Sequence, residues 1–274
     1  MILTVAGFDP SSGAGVTADL KTFAAHHCYG VAAITALTVQ NTRGVQAVHP
    51  VDASILRDCL QSLMADGQVR AVKIGMLANL ANAQAVGDLL KDHPGLPAIL
   101  DPVLRSSSGA PLLDEEGFEF LSGHLLGHVT LVTPNLEEAC ALTGLKVENV
   151  EDMKTAARRL LDLGARAVVV TGGHLEKAVD VFADAATLEV FAGERVKTDN
   201  THGTGCAFSS AVAANIAGGR RLPEAVVLAK AYVAESIKKS QPIGPGRVPL
   251  NHFYRTEESP RSGDPGASHS EAGS

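Results

Sequence analysis

Short apolar runs rich in β-branched residues alternate with longer stretches whose apolar positions recur every three or four residues, and this continues to about residue 200. The runs fall at 3–6, 32–39, 71–74, 98–100, 129–133 and 167–171, and they are apolar at consecutive positions rather than alternate ones. A strand covered by helices on both sides must be apolar on both faces. Strands of that kind joined by amphipathic crossovers build a parallel sheet. The pattern therefore predicts an α/β fold, with a central, mostly parallel sheet flanked by helices on both faces. Two later runs, 179–183 and 188–191, flank a polar turn at 184–187 and predict an antiparallel hairpin closing one edge of that sheet.

Among the amphipathic stretches, 15–27 places Val16, Leu20, Phe23 and His27 on one helical face. The stretch 152–164 ends in Gly164, as a helix C-terminus should. Two further helices are expected at 205–217 and 223–239. From Thr256 onward the chain reads TEESPRSGDPGASHSEAGS, whose only apolar residues are Ala267 and Ala272. Such a segment buries too little surface to offset the entropy of ordering. The reading is one domain over 1–255 and a disordered tail over 256–274. No internal repeat of a solenoid's period is visible.

Composition sharpens this picture. The chain has 274 residues and is 45% hydrophobic, with eight Phe, three Tyr and no Trp, so aliphatic side chains must build the core. Lys and Arg number 23 against 30 Asp and Glu, a net charge of −7 with no basic stripe, which argues against nucleic-acid binding. The start, MILTVAGFDP, lacks a basic segment and meets Asp9 early, so no signal peptide is expected, and no stretch is long enough to span a bilayer. Cys28, Cys59, Cys140 and Cys206 form no CxxC pair, which fits a reduced cytoplasm.

Candidate chemistry concentrates in two glycine segments. Asn200-Thr201-His202-Gly203-Thr204-Gly205-Cys206 precedes the helical run AFSSAVAANIA. It reads either as a tight turn before a capped helix or as an anion site, where amide N–H groups and the helix dipole converge. Cys206 is either an inert buried thiol or one whose pKa is lowered there, able to accept a proton from an attacking hydroxyl. The other segment, AGFDPSSGAG, follows the first strand. Its Gly13-x-Gly15-x-x-Ala18 is a weak dinucleotide fingerprint, because the loop is long and the second strand ends in Gln40 rather than an acid. No GxxxxGK[ST] phosphate loop occurs.

Asp19 lies on or beside the apolar face of its helix, either as a boundary residue with its head in solvent or as a ligand-facing acid. Gly7, Gln40, Met76, Asp101, Asn135 and Gly172 each follow an expected parallel strand, and such sheets bind ligands beyond those C-terminal ends. Together with Glu138 they would line one rim carrying the oxygen ligands that Mg²⁺ prefers. His124 and His128 have i, i+4 spacing but no third ligand, and Ser106-Ser107-Ser108-Gly109 lacks a GxSxG setting.

The segments AGFDPSSGAG, ADLKTF, ITALTVQNTRGV, KIGML, LDPV, TPNLEEA and NTHGTGC occur in this order. With them the chain resembles the hydroxymethylpyrimidine/phosphomethylpyrimidine kinases of thiamine biosynthesis, of the ribokinase-like superfamily. The resemblance implies a ribokinase-like fold, ATP and Mg²⁺ as cofactors, a small aminopyrimidine alcohol and its phosphate as substrates, and a homodimer. It implies that Gly7, Asp19, Gln40, Met76 and Val103 line the pyrimidine pocket, and that Gly203, Thr204, Gly205 and Cys206 form the anion hole and base. ATP would meet Asn135, Thr171, Gly173 and His202, with Asp101 and Glu138 near the metal. Three positions depart from the family pattern: Thr171 stands where many members have Lys, Phe8 where a small hydroxyl residue is usual, and Ser12 where a Gly is usual. The rival expectations are a pyridoxine or pyridoxal kinase on the same scaffold, a silent pyrimidine-binding regulator and, more remotely, a dinucleotide dehydrogenase.

Overall fold

The computed structural model describes residues 1–173, 178–193 and 203–255. The strands are β1 (Ile2–Phe8), β2 (Gly30–Asn41), β3 (Gly44–Pro50), β4 (Ala71–Ile74), β5 (Ala98–Leu100), β6 (Leu131–Val132), β7 (Ala167–Gly172), β8 (Ala178–Asp184) and β9 (Leu188–Gly193). They form one sheet in the order β3-β2-β1-β4-β5-β6-β7-β8-β9. The six strands from β2 to β7 in that order are parallel, and β3, β8 and β9 join antiparallel at the two edges. The hairpin expected at one edge is present. In its turn, Asp184 Oδ1 accepts from the N–H groups of Ala186 and Thr187. A second hairpin, β2–β3, was not foreseen, and β2 extends past Val39 to pair with it.

The period-two geometry of the central strands decides what each face carries. Leu3 and Val5 of β1, Val72 and Ile74 of β4 and Leu100 of β5 point into one core layer. It is covered by α2 (Ala53–Ala65), α3 (Leu80–Asp92), α5 (Leu136–Thr143) and α6 (Val150–Asp162). On the other face lie Ile2, Ala71 and Ile99, under α1 (Gly15–Ala25), α7 (Thr204–Ala217) and α8 (Leu222–Lys238). Thr4, Lys73 and Asp101 share the parity of that second face. They are therefore polar groups carried inward beneath α1 and α7, and all three are buried.

After α4 (Glu115–Phe120), His124 falls in a widened π-helical turn, where its ring packs on Phe120 at 5.0 Å, and His128 ends the tighter 3-10 turn that follows. Ser108 Oγ accepts from the Val45 N–H at the tip of the unforeseen hairpin, so the serine loop braces that tip. The tail assigned to 256–274 lies outside the described residues. Among the described residues no helix is long and apolar enough to cross a membrane.

Candidate active site

The two glycine segments meet. Gly203 precedes α7 at φ +78, and a Cβ there would stand 1.9 Å from the Gly13 carbonyl oxygen. Gly15 opens α1 at φ +59, and its Cβ would stand 2.2 Å from the Gly7 oxygen. Only glycine permits both the left-handed backbone and the close approach. The loop between is ordered by buried Asp9, which accepts from Ser11 N–H at 2.8 Å, Ser11 Oγ at 2.7 Å, Gly13 N–H at 3.1 Å and Ala14 N–H at 2.9 Å. Ser12 takes φ +60, a left-handed backbone that glycine adopts more readily.

The first helical bond of α7 runs from Ala207 N–H to the Gly203 oxygen. The amides of residues 204–206 therefore precede the helical ladder, at the positive end of the helix dipole. Asp101, directly after β5, lies beneath this turn. A Cβ at Gly205 would be 3.7 Å from each of its carboxylate oxygens, and Ser209 Oγ donates to its Oδ2 at 3.4 Å. Cys206 adjoins Asp101 and the Gly15 N–H, and both act on the acidity of its thiol.

Below these lies a residue that the sequence reading passed over. Lys73 is fully buried, with Nζ 3.1 Å from each Asp19 oxygen and 3.9 Å from Asp101 Oδ2. Asp19 also accepts from Thr4 Oγ1 at 2.6 Å and Ser210 Oγ at 2.7 Å. Its exposure is 0%, so its head is not in solvent, and it faces Lys73 rather than an open pocket. That corrects the ligand-facing expectation: an acid on the apolar side of α1 required a partner, and β4 supplies the cation. The signal that could have found it is a lysine inside the strand AVKI, every residue of which is buried.

Burial opposes the Lys73 charge, but Asp19, with Cys206 and Asp101 behind it, outweighs burial and holds the ammonium above the ordinary lysine range. Burial raises Asp101, with Lys73 pulling the other way and Asp19 adding to the rise. Burial also pushes the Cys206 thiol up to about 12, although Lys73 opposes it. The lowered thiol pKa expected from the helix start is thus overturned. Desolvation together with the neighbouring carboxylates outweighs the helix end.

Glu138 is the fourth residue of a capping box at the start of α5. Its Oε2 accepts from Asn135 N–H, and the Asn135 side chain accepts from Glu138 N–H, both at 2.9 Å. Burial and then Asp101 raise Glu138 to about 8. Among the described residues no set of three or more His, Cys, Asp and Glu converges as a metal cage. Two mutually destabilising carboxylates nevertheless fit Mg²⁺ held largely by water and phosphate.

Met76 seats against Gly7, where a Cβ would meet its sulfur at 2.7 Å, and Val103 packs in the same small apolar cluster. Gln40 Oε1 accepts from Thr38 Oγ1 at 3.3 Å, and that hydroxyl is also 2.9 Å from the Phe8 carbonyl oxygen. Asn135 and Thr171 form a parallel bridge, with Thr171 N–H bonded to Pro134 O at 2.9 Å, and Gly173 is exposed beyond them. Beside Thr171 on β8, Asp180 accepts from Lys230 Nζ of α8 at 2.5 Å. His202 lies outside the described residues, as do His174 and Lys177. The structure thus joins Gly203, Thr204, Gly205, Cys206 and Asp101 at one turn, and gathers Gly7, Met76 and Val103 beside β1.

The family described as phosphomethylpyrimidine kinase matches residues 9–251. The chain is 42% identical over 246 residues to the hydroxymethylpyrimidine/phosphomethylpyrimidine kinase of Aquifex aeolicus, spanning 89% of this chain and 96% of that protein. It is also 42% identical over 259 residues to the thiamine biosynthesis bifunctional protein of Geobacter sulfurreducens, spanning 94% of this chain but only about half (53%) of that longer protein. Among solved structures, an ADP complex of Bacillus subtilis pyridoxal kinase superposes with a TM-score of 0.86 at 36% identity, covering 93% of this chain and 98% of that one. Family match, identity and fold agree, and the chain belongs to the phosphomethylpyrimidine kinase family.

Proposed function

We propose that this chain phosphorylates the hydroxymethyl group of 4-amino-5-hydroxymethyl-2-methylpyrimidine with MgATP, and then the resulting monophosphate, within thiamine biosynthesis. The observation that carries the reading is the meeting of the two glycine turns directly over Asp101 and Cys206. Amides aimed at developing charge are what phosphoryl transfer chiefly requires.

The substrate oxygen forms a bond to the γ-phosphorus while the bond to the β,γ-bridging oxygen breaks, and ADP departs. A thiol that retains its proton cannot accept another, so Cys206 passes its own proton to Asp101 as it takes the proton of the alcohol. The second acceptor is a phosphate monoester, largely ionised near neutral pH, and needs no base. Mg²⁺ held by Asp101 and Glu138 would offset charge on the phosphates. Gly7, Gln40, Met76 and Val103 form the wall offered to the pyrimidine, with Asp19 behind it as the anchor of Lys73. Asn135, Thr171, Gly173 and His202 are assigned to the nucleotide. A homodimer in the cytoplasm completes the proposal; light scattering tests the dimer.

The pyridoxal kinase likeness favours one rival, phosphorylation of pyridoxal or pyridoxine. The test supplies the hydroxymethyl pyrimidine, its monophosphate and pyridoxal separately with MgATP and quantifies each product. The proposal expects both pyrimidine products and the larger kcat/KM for the pyrimidine alcohol. A larger kcat/KM for pyridoxal would reassign the enzyme, and no ATP consumption with any acceptor would leave the silent regulator.

A further inference from the structure

Lys73 takes no part in the transfer step above, yet it is the charged group common to the acids of this site. It stands on β4 at the centre of the sheet and touches Asp19 of α1 and Asp101 at the end of β5. Asp19 is fixed in turn by Thr4 of β1 and Ser210 of α7. The contacts therefore run from two hydroxyls to Asp19, to Lys73, to Asp101, and from Asp101 to Cys206 and Ser209 at the start of α7. Every residue in this line up to Asp101 is at most 4% exposed. Water therefore cannot replace a missing member without structural change.

A buried lysine placed only to neutralise Asp19 would need one carboxylate. This one has two, and the second lies 3.7 Å from where Gly205 would carry a Cβ. We propose that Lys73 is a positioning residue, anchored by Asp19, whose ammonium holds the Asp101 carboxylate in place under the anion-binding turn. The inference rests on the kinase reading above and deepens it: the β4 lysine aligns the carboxylate that lies under the turn where the phosphate is transferred.

The test compares wild type, Lys73→Met and the charge-balanced pair Asp19→Asn/Lys73→Met. Thermal midpoint, the Kd of a non-hydrolysable ATP analogue and the kcat for the pyrimidine alcohol are measured on each. A lysine serving only the fold predicts that the balanced pair regains midpoint and kcat together. Positioning predicts that the balanced pair regains the midpoint while kcat stays about 10²-fold below wild type, the loss expected of ångström-scale misplacement. The analogue's Kd should move far less than kcat does. Recovery of kcat to near the wild-type value would overturn the inference. Lys73→Gln, which keeps a donor without the charge, is read in the same way. If neither Lys73→Gln nor the balanced pair folds, Lys73 belongs to the fold alone and the inference falls. Wild type inactive on the pyrimidine alcohol would instead defeat the kinase reading, so the two failures are distinguishable.

Discussion

Helix α1 carries two buried polar clusters three residues apart, and they have opposite characters. Around Asp19 the cluster is ionic, with Lys73 and Asp101 facing it across the sheet. Around Thr22 it is neutral: His252 Nδ1 lies 3.2 Å from both Thr22 Oγ1 and the Tyr232 hydroxyl, and His26 stands edge-on to the Tyr232 ring at 4.6 Å. Burial, with Lys21 adding to it, lowers His252 to about 4, and burial pushes Tyr232 up to about 12. Desolvation keeps both neutral, for the Arg255 guanidinium over the Tyr232 ring at 5.9 Å opposes the rise of Tyr232 without outweighing burial. The neutral cluster fastens the C-terminal segment to α1 and α8, with the Tyr232 hydroxyl donating to the His252 carbonyl at 3.1 Å. The buried ions of the Asp19 cluster lie where strand ends meet the glycine turns, and a second, largely buried pair, Asp180 with Lys230, joins β8 to α8.

The sharpest way to break that contrast is Cys206→Ala. It should lower kcat on the alcohol by about 10²–10⁴, the span of a lost proton-transfer group. It should lower kcat on the monophosphate much less, because that acceptor is already ionised. Equal losses on the two acceptors would remove the relay through Asp101.

Next in size is Lys73→Met. Stripping one partner from a buried ion pair costs about 3–5 kcal/mol, read from urea unfolding. His252→Leu in the neutral cluster should cost about 1–3 kcal/mol, the range for disturbing a buried hydrogen-bonded group. Equal costs would contradict the distinction between the clusters.

His252 of the neutral cluster and Glu138 at the start of α5 answer pH in opposite directions. His252 falls to about 4 from an ordinary 6.5, so the unfolded chain binds its proton more readily. Its contribution is fully present above 6.5 and is lost as pH falls toward 4. Glu138 rises to about 8 from an ordinary 4.5, so its contribution is full below 4.5 and is lost as pH rises through 8. Unfolding free energies measured from pH 4 to 8.5 should lose the acid slope in His252→Leu and the alkaline slope in Glu138→Gln. Unchanged slopes would show that other groups control the profile.

The smallest effect is expected at Ser12→Gly. Relief of a left-handed serine, worth about 1 kcal/mol, is offset by the greater freedom of glycine in the unfolded chain. Stability should therefore change by less than about 0.5 kcal/mol, read from the same urea curves.

What the sequence revealed follows from how local each cause is. The short, largely apolar runs at 71–74 and 98–100 match β4 and β5 at those bounds, because strands covered by helices on both faces carry apolar residues on both. The capping box of Asn135 and Glu138 is a four-residue local pattern of the same kind. β3 was missed because its Val45, Ala47 and Val48 lie on an edge strand that is partly exposed, with little apolar contrast. Lys73 was missed because its partners lie 54 and 28 residues away along the chain, and only the sheet order joins them. Cys206 lies in the first turn of α7, as the glycine segment implies, but its thiol is raised rather than lowered. The helix start is local, whereas the burial and the two carboxylates that outweigh it arrive from β5 and α1.

The central claim is that the turn at residues 203–206, over Asp101, is where phosphate is transferred. A crystal structure of the enzyme with a non-hydrolysable ATP analogue and the pyrimidine alcohol tests it most directly. The account predicts the terminal phosphate within hydrogen-bond reach of the amides of residues 204–206, with the alcohol oxygen beside Cys206. A triphosphate seated elsewhere, or an alcohol turned away from Cys206, would contradict it.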